Sequence, residues 1–223
     1  MISRATKVFI GCVAAIFFAN AFSSFAVAQE MIPLVDIRSV DKTIVVELRY
    51  AGSNNVAARP LYPRGTRAMI RPEVAQRLAV AQAWLRKWNH GLKIWDAYRP
   101  PSVQQELWQA VGRSDYFADP ETINGSLHSW GLAVDATLVD SHKREKPMPT
   151  DFDDLTPAAM WRYQGTDPNI RSNLTFLQAA MRKAGFYGLK REWWHFIASN
   201  WKDYVPDKDI NFGVHKKLPE PGS

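Results

Sequence analysis

The chain is 223 residues long and 46% hydrophobic, carries 28 Lys and Arg against 22 Asp and Glu for a formal charge of +6, and has Cys12 as its single cysteine. That length is enough for one well-packed core. A lone cysteine excludes a disulfide framework, and cations scattered along the sequence exclude the concentrated basic stripe of a nucleic-acid binder.

Arg4 and Lys7 precede an apolar run from Val8 to Phe25, and Ala26-Val27-Ala28 forms a small-x-small cleavage site before Gln29. This is the pattern of a secretory signal peptide over residues 1–28. The alternative is an uncleaved anchor, since the run approaches the length that spans a bilayer. The Ala-x-Ala ending and the polar Asn20, Ser23 and Ser24 favour cleavage, with no stable membrane insertion afterwards. Cys12 sits mid-run with no small-residue site setting it off, which argues against lipidation. Cleavage removes Cys12 and both cations, so 195 residues remain (223 less 28) at a charge of +4 (+6 less 2). An exported chain without disulfides must rely on its core or on a metal.

The remainder reads as one domain over residues 29–213 and a flexible tail over 214–223, where Lys216, Lys217, Pro219, Pro221 and Gly222 replace the apolar pattern. Thr43 to Arg49 alternates and is rich in β-branched residues, predicting a strand that enters a long polar loop from Tyr50 to Arg67. Pro72 opens a helix with Val74, Leu78, Ala81, Leu85 and Trp88 on one face and Gly91 after its end, a core stripe. Leu92 to Trp95 is a buried strand, stopped by Pro100 and Pro101. A second helix runs from about Ser102 to Val111 and closes at Gly112. Leu132 to Leu138 is a strand with Asp135 on the face opposite Val134. Asn173 to Ala184 is a third helix ending at Gly185, and Glu192 to Ala198 the last strand. Mixed order without regular βαβ alternation predicts an α+β domain, a central mostly antiparallel sheet flanked by helices.

Two stretches carry the chemistry: Ser126-Leu127-His128-Ser129-Trp130-Gly131-Leu132-Ala133-Val134-Asp135 and Glu192-Trp193-Trp194-His195. Two imidazoles, a carboxylate and a further glutamate are the inventory of a catalytic zinc site with its general base. His128 and Asp135 are seven apart, a spacing a regular strand sends to opposite faces, so His128 sits before the strand and Gly131 supplies the turn that brings it round. Glu192 and His195, three apart, converge only if their strand is bulged or begins there. Each residue has a plainer reading alone: His128 as a capping or surface histidine, Asp135 as a cap or a partner of Arg, Glu192 as the partner of Lys190 or Arg191. Arg99, after a strand end in a proline-rigid turn, could bind a carboxylate or an oxyanion, or pair with Asp96. Trp193 and Trp194 belong to the core by default, with room for one to wall a pocket. His90 closes a helix, His142 lies in a charged loop and His215 in the tail, so none of the three joins the set.

Ser126-x-His128-x-x-Gly131-x-Ala133-x-Asp135 together with Glu192-x-Trp194-His195 resembles the zinc D-Ala-D-Ala peptidases of the hedgehog-like fold. The branch it is most similar to is that of the D-alanyl-D-alanine dipeptidases, which includes the vancomycin-resistance dipeptidase. Leu48-Arg49-Tyr50-Ala51 with Asn55, Trp95-Asp96-Ala97-Tyr98-Arg99-Pro100, and Met148 to Asp153 support that branch, and the likeness spans residues 33–205. The resemblance implies one Zn2+ held by His128, Asp135 and His195, Glu192 as general base, and Arg99 polarising the scissile carbonyl. It implies that Ser126, Tyr50, Asp96 and Asp153 shape a pocket for the D-Ala-D-Ala dipeptide, with an acid such as Asp153 at its ammonium end. The register of that acid is open among Asp151, Asp153 and Asp154, and Ala97 stands where the family commonly has Gly. The rival expectations are a D,D- or L,D-carboxypeptidase or endopeptidase on peptidoglycan peptides and a zinc-containing binding module without catalysis. Export fits periplasmic turnover of wall fragments.

Overall fold

A computed structural model describes residues 32–112, 116–206 and 214–215. The expected signal peptide lies outside the described residues. Among the described residues, the buried hydrophobic core comes from Ile37 to Val205.

Among the described residues the strands are β1 (Val35–Asp36), β2 (Val45–Val46), β3 (Met69–Ile70), β4 (His90–Asp96), β5 (Ala133–Asp140), β6 (Phe186–Leu189), β7 (Glu192–Ala198) and β8 (Val214–His215). The helices are α1 (Ile37–Val40), α2 (Pro72–Arg86), α3 (Pro101–Val111) and α4 (Pro168–Lys183). β1 and β3 pair with each other, and the other six strands form one sheet in the order β2-β4-β5-β7-β6-β8. Among the described strands of this sheet β2 runs parallel to β4 and the other pairs are antiparallel, so the expected α+β class with a mostly antiparallel sheet is the one observed.

Register explains how the sheet makes two different faces. Leu92 lies beside Leu138, Ile94 beside Ala136, and Val134 beside Phe196, which puts these apolar side chains on one face. That face packs under α2 and α4, whose buried stripes are Val74, Leu78, Ala81 and Leu85 on one helix and Leu174, Leu177 and Met181 on the other. Each fully buried leucine there contributes about 2 kcal/mol. The alternate residues, Lys93, Asp135, Thr137 and His195, face the other way and are free to build a site.

Several boundaries differ from the sequence expectation. The α2 stripe does not reach Trp88: the helix ends at Arg86, Asn89 turns the chain with φ 57°, and Trp88 is 56% exposed. His90 consequently opens β4 and does not close a helix, and Gly91 lies within that strand. α4 starts at Pro168 and not at Asn173, because the Asp167 carboxylate caps it by accepting from the N–H groups of Asn169 and Ile170. The strand expected over Thr43 to Arg49 shrinks to Val45–Val46, after which Arg49–Ala51 forms a 3-10 turn that carries Tyr50 fully inward. α3 closes at Gly112 with φ 78°, as expected. Val214–His215, the first residues of the expected tail, pair with β6, and 216–223 lie outside the described residues.

Candidate metal centre and active site

His128 is positioned by a single 3-10 turn, Leu127–Trp130, capped at its start by the Ser126 hydroxyl, which accepts from the His128 N–H at 3.3 Å. The turn ends at Gly131 with φ 65°, and the chain enters β5 two residues later. A Cβ on Gly131 would lie 2.9 Å from Leu34 Cδ2 and 3.3 Å from the Arg71 backbone nitrogen, so both conformation and space demand glycine. Asp135 on β5 is the cross-strand neighbour of His195 on β7. The expected convergence of Glu192 with His195 is also found. β7 begins at Glu192, and between Gly188 and Leu189 of β6 the partner on β7 jumps from Phe196 to Glu192.

These placements bring His128 Nε2, His195 Nδ1 and Asp135 Oδ1 into a triangle with edges of 3.0, 3.2 and 3.4 Å. Donors bonded at about 2.0–2.1 Å to a tetrahedral Zn2+ stand about 3.3 Å apart, so the triangle has the size of one face of that tetrahedron. The His128 Nδ1–H donates to the Ala97 carbonyl at 2.7 Å, which turns the Nε2 lone pair toward the triangle. Burial holds the His195 imidazole below its usual pKa, against the pull of Asp135, so it is neutral and able to ligate. Burial works against the Asp135 carboxylate, but His128 and His195 hold its pKa below the usual range and keep it charged.

Charge points the same way. Asp135, Asp153 and Glu192 line one cavity of about 420 Å3. Arg99 also lines it, held mainly from behind: Nε and Nη2 donate to Asp96 Oδ2 at 2.9 and 2.7 Å and Nη1 to Gln104 Oε1 at 2.8 Å, while Nη2 lies 3.6 Å from Asp135 Oδ2. Burial pushes the Glu192 carboxyl well above its usual range, and the negative charges of Asp135 and Asp153 push it further. Burial likewise raises Asp153 to about 7. A divalent cation held by His128, Asp135 and His195 would supply positive charge to this group of buried acids.

The structure separates the remaining site candidates by position. Tyr50, Arg99, Ser126, Asp153, Glu192 and the three donor residues all line the cavity. Tyr50 is fully buried, its phenol kept protonated by burial and by Asp153, and it donates to Asp153 Oδ1 at 3.1 Å. Asp153 Oδ2 accepts from the Val56 N–H at 3.0 Å. Asp154 instead caps the turn at Thr156, and Asp151 lines a separate groove beside Trp95, so of the three acids only Asp153 is among the residues lining this cavity. Asp96, expected to shape the pocket, is not among the residues lining the cavity and stands behind one that is. Fully buried behind Arg99, it accepts from Arg99 and from the Tyr62 hydroxyl and lies 3.4 Å from His128 Nδ1. Trp194 walls the cavity, while Trp193 is buried and donates to Thr150 Oγ1.

Sequence reasoning missed Gln104, Tyr62 and the Ala97 carbonyl, all of which brace residues of the site. Gln104 could have been found, since it stands on the first turn of the helix that Pro101 opens, five residues from Arg99. Tyr116 and Phe117, which also line the cavity, carry no signal beyond their aromaticity.

Comparison with known proteins bears on the same residues. A profile of the family described as D-ala-D-ala dipeptidase matches residues 30–215. The D-alanyl-D-alanine dipeptidase of Escherichia coli (strain K12) is 32% identical over 163 residues, 73% of this chain and 83% of that protein. The D-alanyl-D-alanine dipeptidase of Enterococcus faecium is 24% identical over 186 residues, 75% of this chain and 91% of that protein. A solved structure of a mutant of the vancomycin resistance D,D-pentapeptidase VanY, in complex with Zn(II), covers 62% of this chain and 77% of its own at 16% identity with a TM-score of 0.37, too slight a likeness to bear on the site. With a family profile over residues 30–215 and a relative at 32% identity, this chain belongs to the D-Ala-D-Ala dipeptidase family of metallopeptidases.

Proposed function

We propose that this chain hydrolyses free D-Ala-D-Ala to two molecules of D-alanine at a zinc centre held by His128, Asp135 and His195. The observation that carries the reading is the donor triangle with Glu192 Oε2 3.7 Å from His195 Nδ1, inside a cavity that also holds a second buried acid, Asp153. Zinc on these donors supplies a Lewis acid for the scissile carbonyl and lowers the pKa of water. Glu192 takes a proton from the attacking water and returns it to the leaving amine. A cation held by the donor residues would offset the burial that raises the Glu192 pKa and favour its basic form. Arg99, fixed by Asp96 and Gln104, faces the charge that develops on the carbonyl oxygen. Asp153, with Tyr50 and Val56 holding its oxygens, receives the free ammonium of the dipeptide, and Ser126 borders the same pocket.

An acid at the ammonium end favours the free dipeptide over intact wall peptides, whose corresponding nitrogen is acylated. The apolar run and Ala-x-Ala site of residues 1–28 support export, with the mature enzyme acting in the periplasm on wall fragments. The test is D-alanine release by the chain starting at Gln29, with zinc, from D-Ala-D-Ala and from its N-acetyl form in parallel. Release from the free dipeptide alone is expected. Preference for the blocked substrate would move the protein to the wall carboxypeptidases, and release from neither would leave a zinc-containing binding module.

A further inference from the structure

The large hydrophobic side chains left exposed among the described residues are Val80, Trp88 and Ile123, at 52%, 56% and 67%. The first two belong to one surface. Trp84, Trp88 and Phe176 of α4 form an aromatic cluster with ring centroids 5.8–6.4 Å apart. The outward stripe of α2 beside it runs Gln76, Val80 and Ala83 and continues to Lys87 just after the helix, and α4 adds the exposed Ser172, Thr175 and Lys183. Arg86, Lys87 and Lys183 are exposed cations at the rim, and no carboxylate occurs from Gln76 to Trp88 or from Pro168 to Lys183.

We infer that this aromatic, cation-rimmed helical face docks on the anionic headgroup surface of a phospholipid bilayer. Indole rings favour the boundary between headgroups and acyl chains. A helical surface with an apolar centre and a cationic rim fits a flat interface. Charge complementarity selects the anionic surface: the cations Arg86, Lys87 and Lys183 outnumber the acids next to this face, Asp140 opposite His90 and Asp41 beside Thr43, and each cation near an anionic leaflet strengthens binding about fivefold. α2 and α4 cover the sheet face opposite Asp135 and His195, so docking there leaves the metal cavity clear. The inference does not depend on the substrate proposed above.

The experiment is co-sedimentation of the chain starting at Gln29 with vesicles of phosphatidylcholine alone and of phosphatidylcholine mixed with phosphatidylglycerol. Binding is expected to the mixed vesicles only, weakening as salt rises, falling about fivefold in each of Lys87→Ala and Lys183→Ala, and falling again in Trp88→Ser, with thermal midpoints unchanged. Equal binding to both vesicles, or to neither, overturns the inference. So does a dimer in sedimentation velocity that Trp88→Ser dissociates, which would give the face to a second copy of the chain.

Discussion

Asp96 is the residue whose position most changes the reading of the site, and its removal separates two accounts of it. In the structure it is fully buried, with Arg99 donating twice to one oxygen and Tyr62 donating to the other. Asp96→Ala removes two of the charged hydrogen bonds of the Arg99 guanidinium, itself 4% exposed, leaving Gln104 as its acceptor and Asp135 Oδ2 3.6 Å from Nη2. Burial acts to lower the pKa of Arg99, and Asp96 is the first of the groups that hold it well above its ordinary value, so the cation stays charged and poorly solvated. Breaking a buried pair in this way costs about 3–5 kcal/mol, and Asp135 holds the loss toward the lower end of that range. At about 2–4 °C per kcal/mol for a domain of this size, the thermal midpoint falls by about 6–20 °C. The melt is read with a chelator present, so that metal linkage does not mask the loss. Turnover falls with stability, because Arg99 leaves its place and His128 loses a neighbour 3.4 Å from Nδ1. Asp96→Asn, which keeps the shape and one acceptor, gives a smaller loss of the same kind. A direct substrate contact would behave differently: if Asp96→Asn melts like the parent while KM alone rises, the residue belongs to the cavity wall and the reasoning is wrong.

Other perturbations test the centre and its frame. Glu192→Gln retains zinc by metal analysis and loses about 10²–10⁴-fold in kcat; full activity would remove Glu192 from the base role. His128→Ala loses the metal itself, read as zinc content after dialysis. Gly131→Ala forces a side chain into φ 65° against Leu34 and Arg71 and costs about 1–2 kcal/mol or more in urea denaturation, with metal affinity reduced because the turn carries His128. Glu145 predicts an acid limb. Burial raises its pKa, but Lys93, Trp95 and Arg49 prevail and hold it below the ordinary 4.5. A depressed carboxyl pKa gives stability that is present above the ordinary value and lost as pH falls through the lowered one. Urea midpoints followed downward in pH should therefore decline less steeply in Glu145→Gln than in the parent.

The elements that declared themselves in the sequence are those whose signal is local. α2 shows its stripe at Val74, Leu78, Ala81 and Leu85 because all four meet one buried surface. α3 shows its end because Gly112 takes a positive φ. Trp88 continued the same period and misled, since periodicity cannot report where the backbone leaves the helix; Asn89 decides that. The α4 start was missed for a similar reason. Its first turn, Pro168 to Arg171, faces solvent with no apolar period, and the cap that begins it is the side chain of Asp167. Whether Asp96 faces the cavity or the layer behind it depends on strand register, and no residue near it carries that information.

The spacings that break a strand's period of two proved more informative than those that keep it. A regular β7 with His195 toward the cavity would turn Glu192 away, and a regular pairing of β4 with β5 would not set Asp96 beside Asp135. Both ladders slip at these points: β6 against β7 between Gly188 and Leu189, and β4 against β5 between Ile94 and Asp96. Each slip disrupts ladder pairing locally and re-aims side chains, as bulges beside active sites do. The first brings Glu192 within 3.7 Å of His195; the second places Asp96 where it can hold Arg99 and neighbour His128 at once. Local irregularity is thus concentrated around the donor triangle, while the apolar face of the same strands, from Leu92 and Ile94 to Val134, Ala136 and Phe196, keeps regular register under α2 and α4. That division of one sheet into a regular packed face and an irregular polar one is what lets a core of ordinary stability support a site built from buried charge.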